Sequence, residues 1–90
     1  MQMSKIVIYT SEFCGYCFAA KNLLTGKGLG FEEIRVGKDS DKRREMIDIS
    51  QRQTVPQILI GDVPIGGYDD LVTLEQTGKL DQLLIEQGVE

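Results

Sequence analysis

Ile6-Val7-Ile8-Tyr9 is an unbroken apolar run rich in β-branched side chains. Successive side chains of a strand point to opposite faces, so a run that is apolar throughout suits a central strand covered on both sides. The segments that follow supply the cover. Cys17, Ala20, Leu23 and Leu24 recur at helical spacing, and the pattern stops at Gly26-Lys27-Gly28, where glycine readily adopts the left-handed conformation that ends a helix. Phe31 to Val36 carries β-favouring residues at Phe31, Ile34 and Val36, which predicts a second strand parallel to the first across a helical crossover.

From Asp39 to Ser50 an acidic start, the basic Lys42-Arg43-Arg44 and the pair Met46 and Ile49 predict a second helix. Met46 and Ile49 are its expected core residues, and the basic triplet is its expected solvated face. Gln57 to Ile60, Gly61-Asp62 and Val63-Pro64-Ile65 have the form of a hairpin with a two-residue turn, and Pro64 places its second strand at a sheet edge. Beyond Gly66-Gly67, Leu71 and Leu74 share a face up to Gly78, and Leu80, Leu83 and Leu84 repeat it up to Gly88. The expected order is βα, βα, ββ, αα: an α/β chain with one four-stranded layer and helices packed on it. With 90 residues, no repeat and no linker, residues 1–90 read as a single domain.

Composition excludes several functions. Ten Lys and Arg against 14 Asp and Glu give a formal charge of −4, which argues against nucleic acid as a partner. The longest apolar runs are far short of the roughly 20 residues that span a bilayer, so no membrane role is expected. Met1-Gln2-Met3-Ser4-Lys5 lacks the pattern of a secretory signal, which makes the cytoplasm the default compartment.

The two cysteines lie three positions apart in Cys14-Gly15-Tyr16-Cys17, between the first predicted strand and the first predicted helix. A loop that small adds little as a structural staple, so their chemistry is the better reason for the pair. At a helix N-terminus, unpaired N–H groups and the helix dipole stabilise a thiolate, which makes Cys14 the expected attacking sulfur. Cys17, within the first turn and more enclosed, is the expected resolving thiol. Two alternatives remain open at this point. One is a zinc half-site, for which the chain offers no histidine and no third cysteine; the other is a pair of buried, inert thiols. Tyr16 is expected to flank the sulfur, whereas Phe13 and Phe18 are expected to share in core packing, with an apolar rim for protein partners as the alternative.

Tyr9-Thr10 before Cys14-Gly15-Tyr16-Cys17, then Thr54-Val55-Pro56-Gln57, then Gly66-Gly67-Tyr68-Asp69-Asp70, resembles a dithiol glutaredoxin over nearly the whole chain. The resemblance implies a minimal thioredoxin fold, with a four-stranded mixed sheet flanked by helices. It also implies a glutathione-dependent oxidoreductase that reduces protein–glutathione mixed disulfides through Cys14 and protein disulfides through Cys14 and Cys17. Its partners would be glutathione, as co-substrate, and glutathionylated or disulfide-containing proteins. The family pattern makes Val55-Pro56 a cis peptide and Thr54, Val55 and Pro56 contacts of an extended cysteinyl peptide. Gly67, Tyr68, Asp69 and Asp70 would hold the γ-glutamyl end at a helix N-terminus, with Asp69 also the expected N-cap.

Two positions depart from the pattern. Ser11 stands where the family commonly has lysine, leaving Arg52 or Gln53 as replacement partners for the glycine carboxylate of glutathione. Gly15 stands where proline is common, and some relatives without that proline hold a [2Fe-2S] cluster between two subunits through a Cys14-type thiolate and glutathione. A cluster-bound dimer is therefore the alternative to a monomeric enzyme, with no metal site otherwise expected.

Overall fold

The computed structural model describes residues 5–89. Its elements run β1 (Ile6–Thr10), α1 (Gly15–Gly26), β2 (Glu32–Arg35), α2 (Ser40–Ser50), β3 (Gln57–Ile60), β4 (Val63–Gly66), α3 (Tyr68–Gln76) and α4 (Lys79–Glu86). The sheet order is β2-β1-β3-β4; β1 pairs parallel with β2 and antiparallel with β3, and β3 pairs antiparallel with β4. This is a four-stranded mixed sheet flanked by helices, as the family resemblance implies. Pro64 lies on the edge strand β4, where its missing N–H disturbs least.

The apolar run of β1 is divided between two cores. Ile6 and Ile8 join Ile58 and Ile60 of β3 against Ala20 and Leu24 of α1, Leu71 of α3, and Leu80 and Leu84 of α4. Tyr9 packs on the other side with Leu59, Val36 and Met46 of α2. Both faces of β1 are thus covered, which is why the run has no polar position. Gly28, at φ +75°, closes α1, and the N–H groups of Gly28 and Leu29 reach back to Thr25 and Leu24 at 2.9 and 3.0 Å.

Two core assignments differ from expectation. Ile49 is exposed, because the smaller core accepts one helix and Met46, with Ile47 beside it, fills that contact. Phe13 and Phe18 are exposed as well. Cys17, Ala20 and Leu24 form the buried face of α1, which turns Phe18 outward, and Phe13 sits at φ +57° in the loop before the helix. Of the basic triplet, Arg43 is half-buried and bonds the carbonyls of Gln53 and Gly37, each at 3.3 Å, whereas Lys42 and Arg44 are exposed.

Tyr9 ties α2 to the sheet, its hydroxyl donating to Glu45 Oε2 at 3.0 Å. Burial, followed by that carboxylate, raises the phenol from 10.0 to about 12. Between those values an unfolded chain has lost the tyrosine proton and the folded chain has kept it, so stability falls as pH rises through the window. Urea midpoints on either side of pH 10.0 should show this decline, and it should be smaller in Tyr9→Phe.

Candidate active site

The parallel turn from β1 into α1 presents the cysteines. Cys14 is the N-cap of α1, with extended backbone angles (φ −106°, ψ 106°), and its sulfur accepts from the Cys17 N–H at 3.2 Å. One of the unpaired donors at the helix start is therefore aimed at sulfur, an arrangement that stabilises negative charge there. Cys14 is half-buried, and its Sγ donates to the Val55 carbonyl at 3.9 Å. Cys17 is only 2% exposed. Its thiol is pushed from 9.0 up to about 12 by burial first, then by its hydrogen bond with Cys14 and the charge there. A backbone hydrogen bond at Ser11 and the Lys21 ammonium act the other way. One sulfur is open and the other enclosed, as expected from their order along the helix.

A cleft of about 370 Å³ lies next to Cys14 across Val55, walled by Tyr16, Arg52, Thr54, Val55, Pro56, Gly67, Tyr68, Asp69 and Asp70. Of the residues singled out from sequence for binding, only Gln53 is not in this wall; it is exposed, and its carbonyl accepts from Arg43. The Val55–Pro56 peptide is cis. The rings of Tyr16 and Tyr68 stand 6.1 Å apart between centroids.

The N-cap of α3 is Gly67, not Asp69. Asp70 makes the capping contact, its Oδ2 accepting from Gly67 N–H at 2.9 Å and from Arg52 at 2.9 Å. Three residues into a helix is the position from which a carboxylate reaches back to the N-cap N–H, whereas Asp69 points elsewhere and stays exposed. The Gly67 hydrogen bond, then Arg52, holds the Asp70 carboxyl below its ordinary range, so it remains charged.

Gln57 carries a role that sequence reasoning missed. Buried at the start of β3, it donates through Nε2 to the Thr54 carbonyl at 2.9 Å and the Thr54 hydroxyl at 3.2 Å, bracing the turn that walls the cleft. Its signal was an amide heading the otherwise apolar run Ile58-Leu59-Ile60.

An open and an enclosed thiol at a helix N-terminus, on a sheet of this order, define a thioredoxin-fold dithiol protein. Residues 6–65 match the glutaredoxin family model. The chain is 50% identical over 82 residues to Glutaredoxin 3 of Escherichia coli K12, covering 91% of this chain and 99% of that protein. It is 48% identical to a glutaredoxin of Pseudomonas aeruginosa over 91% of this chain and 98% of the relative. Among solved structures, glutaredoxin from Brucella melitensis superposes with a TM-score of 0.80 at 49% identity, covering 93% and 91% of the two chains. Buckwheat glutaredoxin in complex with glutathione does so with 0.84 at 29% identity, covering 96% and 81%. The chain belongs to the glutaredoxin family, and thiol–disulfide oxidoreduction is its activity by that membership.

Gly66 shows how tightly the cleft is built. It sits at φ +107°, and a Cβ there would run into the Asp70 carboxylate and lie 2.8 Å from Arg52 Nη1. Gly66→Ala should lower stability by about 1 to 3 kcal/mol through backbone strain and displacement of this pair. Denaturant unfolding checks it, and an unchanged midpoint would mean that the pair moves aside without cost.

Proposed function

We propose that this chain is a glutathione-dependent reductase of protein–glutathione mixed disulfides and protein disulfides, with Cys14 as nucleophile and Cys17 as resolving thiol. The observation that carries this reading is the half-buried Cys14, its sulfur hydrogen-bonded by a helix N-terminal N–H, next to a cleft edged by Val55. Glutathione lies extended along Thr54-Val55-Pro56 and pairs with the Val55 backbone as an added strand. Its γ-glutamyl carboxylate meets the N–H groups of Tyr68 and Asp69, which have no carbonyl one turn back within α3. Asp69 accepts from the γ-glutamyl amine, and Tyr16 and Tyr68 enclose the peptide.

Arg52, rather than Gln53, compensates for Ser11, because it lines the cleft and its five donors are not exhausted by Asp70. Arg52→Ala should raise KM for a glutathionyl substrate by about tenfold, the usual loss for a charged hydrogen bond. An unchanged KM would assign the carboxylate to other donors.

In the first route the Cys14 thiolate attacks the glutathionyl sulfur of the mixed disulfide. A Cys14–glutathione bond forms, and the target leaves as a thiolate that takes up a proton. A second glutathione thiolate then attacks the bound glutathionyl sulfur, freeing Cys14 and producing glutathione disulfide. In the second route Cys14 attacks a protein disulfide and expels one target thiolate. Cys17 then gives up its proton and attacks Cys14 Sγ, releasing the other target thiolate and leaving a Cys14–Cys17 disulfide for glutathione to reduce.

The high setting of Cys17 gives this sequence its order. Two of the influences that raise it are the hydrogen bond and the charge of Cys14. Both end when Cys14 enters a mixed disulfide, so Cys17 becomes easier to ionise in the one intermediate it must attack.

The same reading makes the chain a monomeric, single-domain protein of the reducing cytoplasm. A [2Fe-2S] cluster is the alternative to this reading: with Cys17 enclosed each chain would supply Cys14 alone, so the cluster would need two chains and two glutathione thiols. The deciding assay is reduction of a small glutathionyl disulfide by glutathione, coupled to NADPH and glutathione reductase. Cys17→Ser should remain active and Cys14→Ser should be inactive, whereas reduction of a protein disulfide should be lost in both. Inactivity of the parent chain and Cys17→Ser alike would overturn the proposal.

A further inference from the structure

Cys14 is bordered by a second hollow, of about 660 Å³, which shares no lining residue with the cleft. The exposed Phe13 and Phe18 form its lip, and Cys14, Cys17, Lys21 and Glu33 are among the residues that line it. We propose that this hollow seats the target polypeptide, and that it favours disulfides with an aliphatic or aromatic side chain next to the cysteine. The inference rests on the thiol–disulfide activity above and gives its target site a chemistry.

Three observations carry it. First, two large aromatic side chains stand in solvent on either side of the cysteine pair, Phe13 fully exposed and Phe18 at 64%. Phe13 holds a left-handed conformation (φ +57°) that is uncommon for a bulky residue, and such strain clusters where a site requires it. An apolar patch of this kind beside a nucleophile marks a contact surface.

Second, both cysteines line this hollow and neither lines the cleft. The mixed disulfide that Cys17 resolves is the one with a target polypeptide. A target bonded to Cys14 has its neighbouring residues within a few ångströms of that sulfur, so they lie across the lip while the cleft remains open to glutathione.

Third, the charges of the hollow are matched internally. Lys21 Nζ lies 3.1 Å and Arg35 Nε 3.6 Å from Glu33 Oε2, which also accepts from Thr10 Oγ1 at 2.7 Å. Glu12 also lines the hollow, making two cations and two anions, so it carries no net charge that would select a charged occupant.

The test is single-turnover reduction of disulfide peptides by the pre-reduced chain. Each turnover transfers two electrons and two protons to the peptide and leaves the Cys14–Cys17 disulfide. Two peptides differ only in having leucine or serine beside one cysteine, and hydroxyethyl disulfide serves as the small reference. The leucine peptide should react about tenfold faster, the value of partly burying one apolar side chain. Phe13→Asn/Phe18→Gln should lose that preference and keep the rate on hydroxyethyl disulfide. Asparagine tolerates the left-handed conformation and glutamine suits a helix, and Phe18→Gln alone serves if the double variant does not fold. Equal rates for the two peptides, a preference that survives substitution, or an equal loss on all three disulfides would each overturn the proposal. No glutathione is present, so failure of glutathione turnover would sink the preceding reading and leave this one standing.

Discussion

Burial of β1 on both faces fixes where α1 begins, and the start of α1 fixes the sulfur. Ile6 and Ile8 are held by α1, α3 and α4 through one core, and Tyr9 by α2 through the other. The turn from Thr10 to Cys14 leads from that strand into α1, whose Cys17 N–H is aimed at the Cys14 sulfur. The 3.2 Å contact from Cys17 N–H to Cys14 Sγ is the outcome. A hydrogen bond of this kind, made by the same backbone that forms the helix, cannot be removed by a side-chain substitution elsewhere without moving the helix itself.

The two thiols then differ because of their position along one helix turn. Cys14 caps the helix and faces its partners, whereas Cys17 points inward with Ala20 and Leu24 and is costly to ionise there. Access distinguishes Cys14, and burial makes Cys17 the harder of the two to ionise. The hollow at Cys14 and the cleft beyond Val55 share no lining residue, the first carrying the exposed Phe13 and Phe18 and the second Arg52, Asp69 and Asp70.

Most of the architecture was legible in the sequence because it rests on periodicity and punctuation. The apolar run of β1, the helical spacing from Cys17 to Leu24 and the Gly61-Asp62 turn each appear where the residues predict them. The errors have a common origin in facts that spacing does not contain. Ile49 has the right character for a core, but the second core had room for only one helix's contact. Phe13 and Phe18 are apolar by composition and exposed by geometry, since a left-handed turn and an outward helix face override residue type. Asp69 and Asp70 are the same residue type side by side, and only the helix start decides which of them reaches Gly67. Gln57 was read as part of a strand, and its bracing of Thr54 is a contact across a turn that sequence pattern leaves unseen.

The central claim is that Cys14 alone forms the bond to glutathione. The most direct measurement is mass spectrometry of Cys17→Ser and Cys14→Ser after exposure to glutathione disulfide under denaturant-free conditions, with peptide mapping of the adduct. The account predicts one glutathionyl group per chain on Cys14 in the first variant and none on Cys17 in the second. An adduct on Cys17, or no adduct on Cys14, would contradict it.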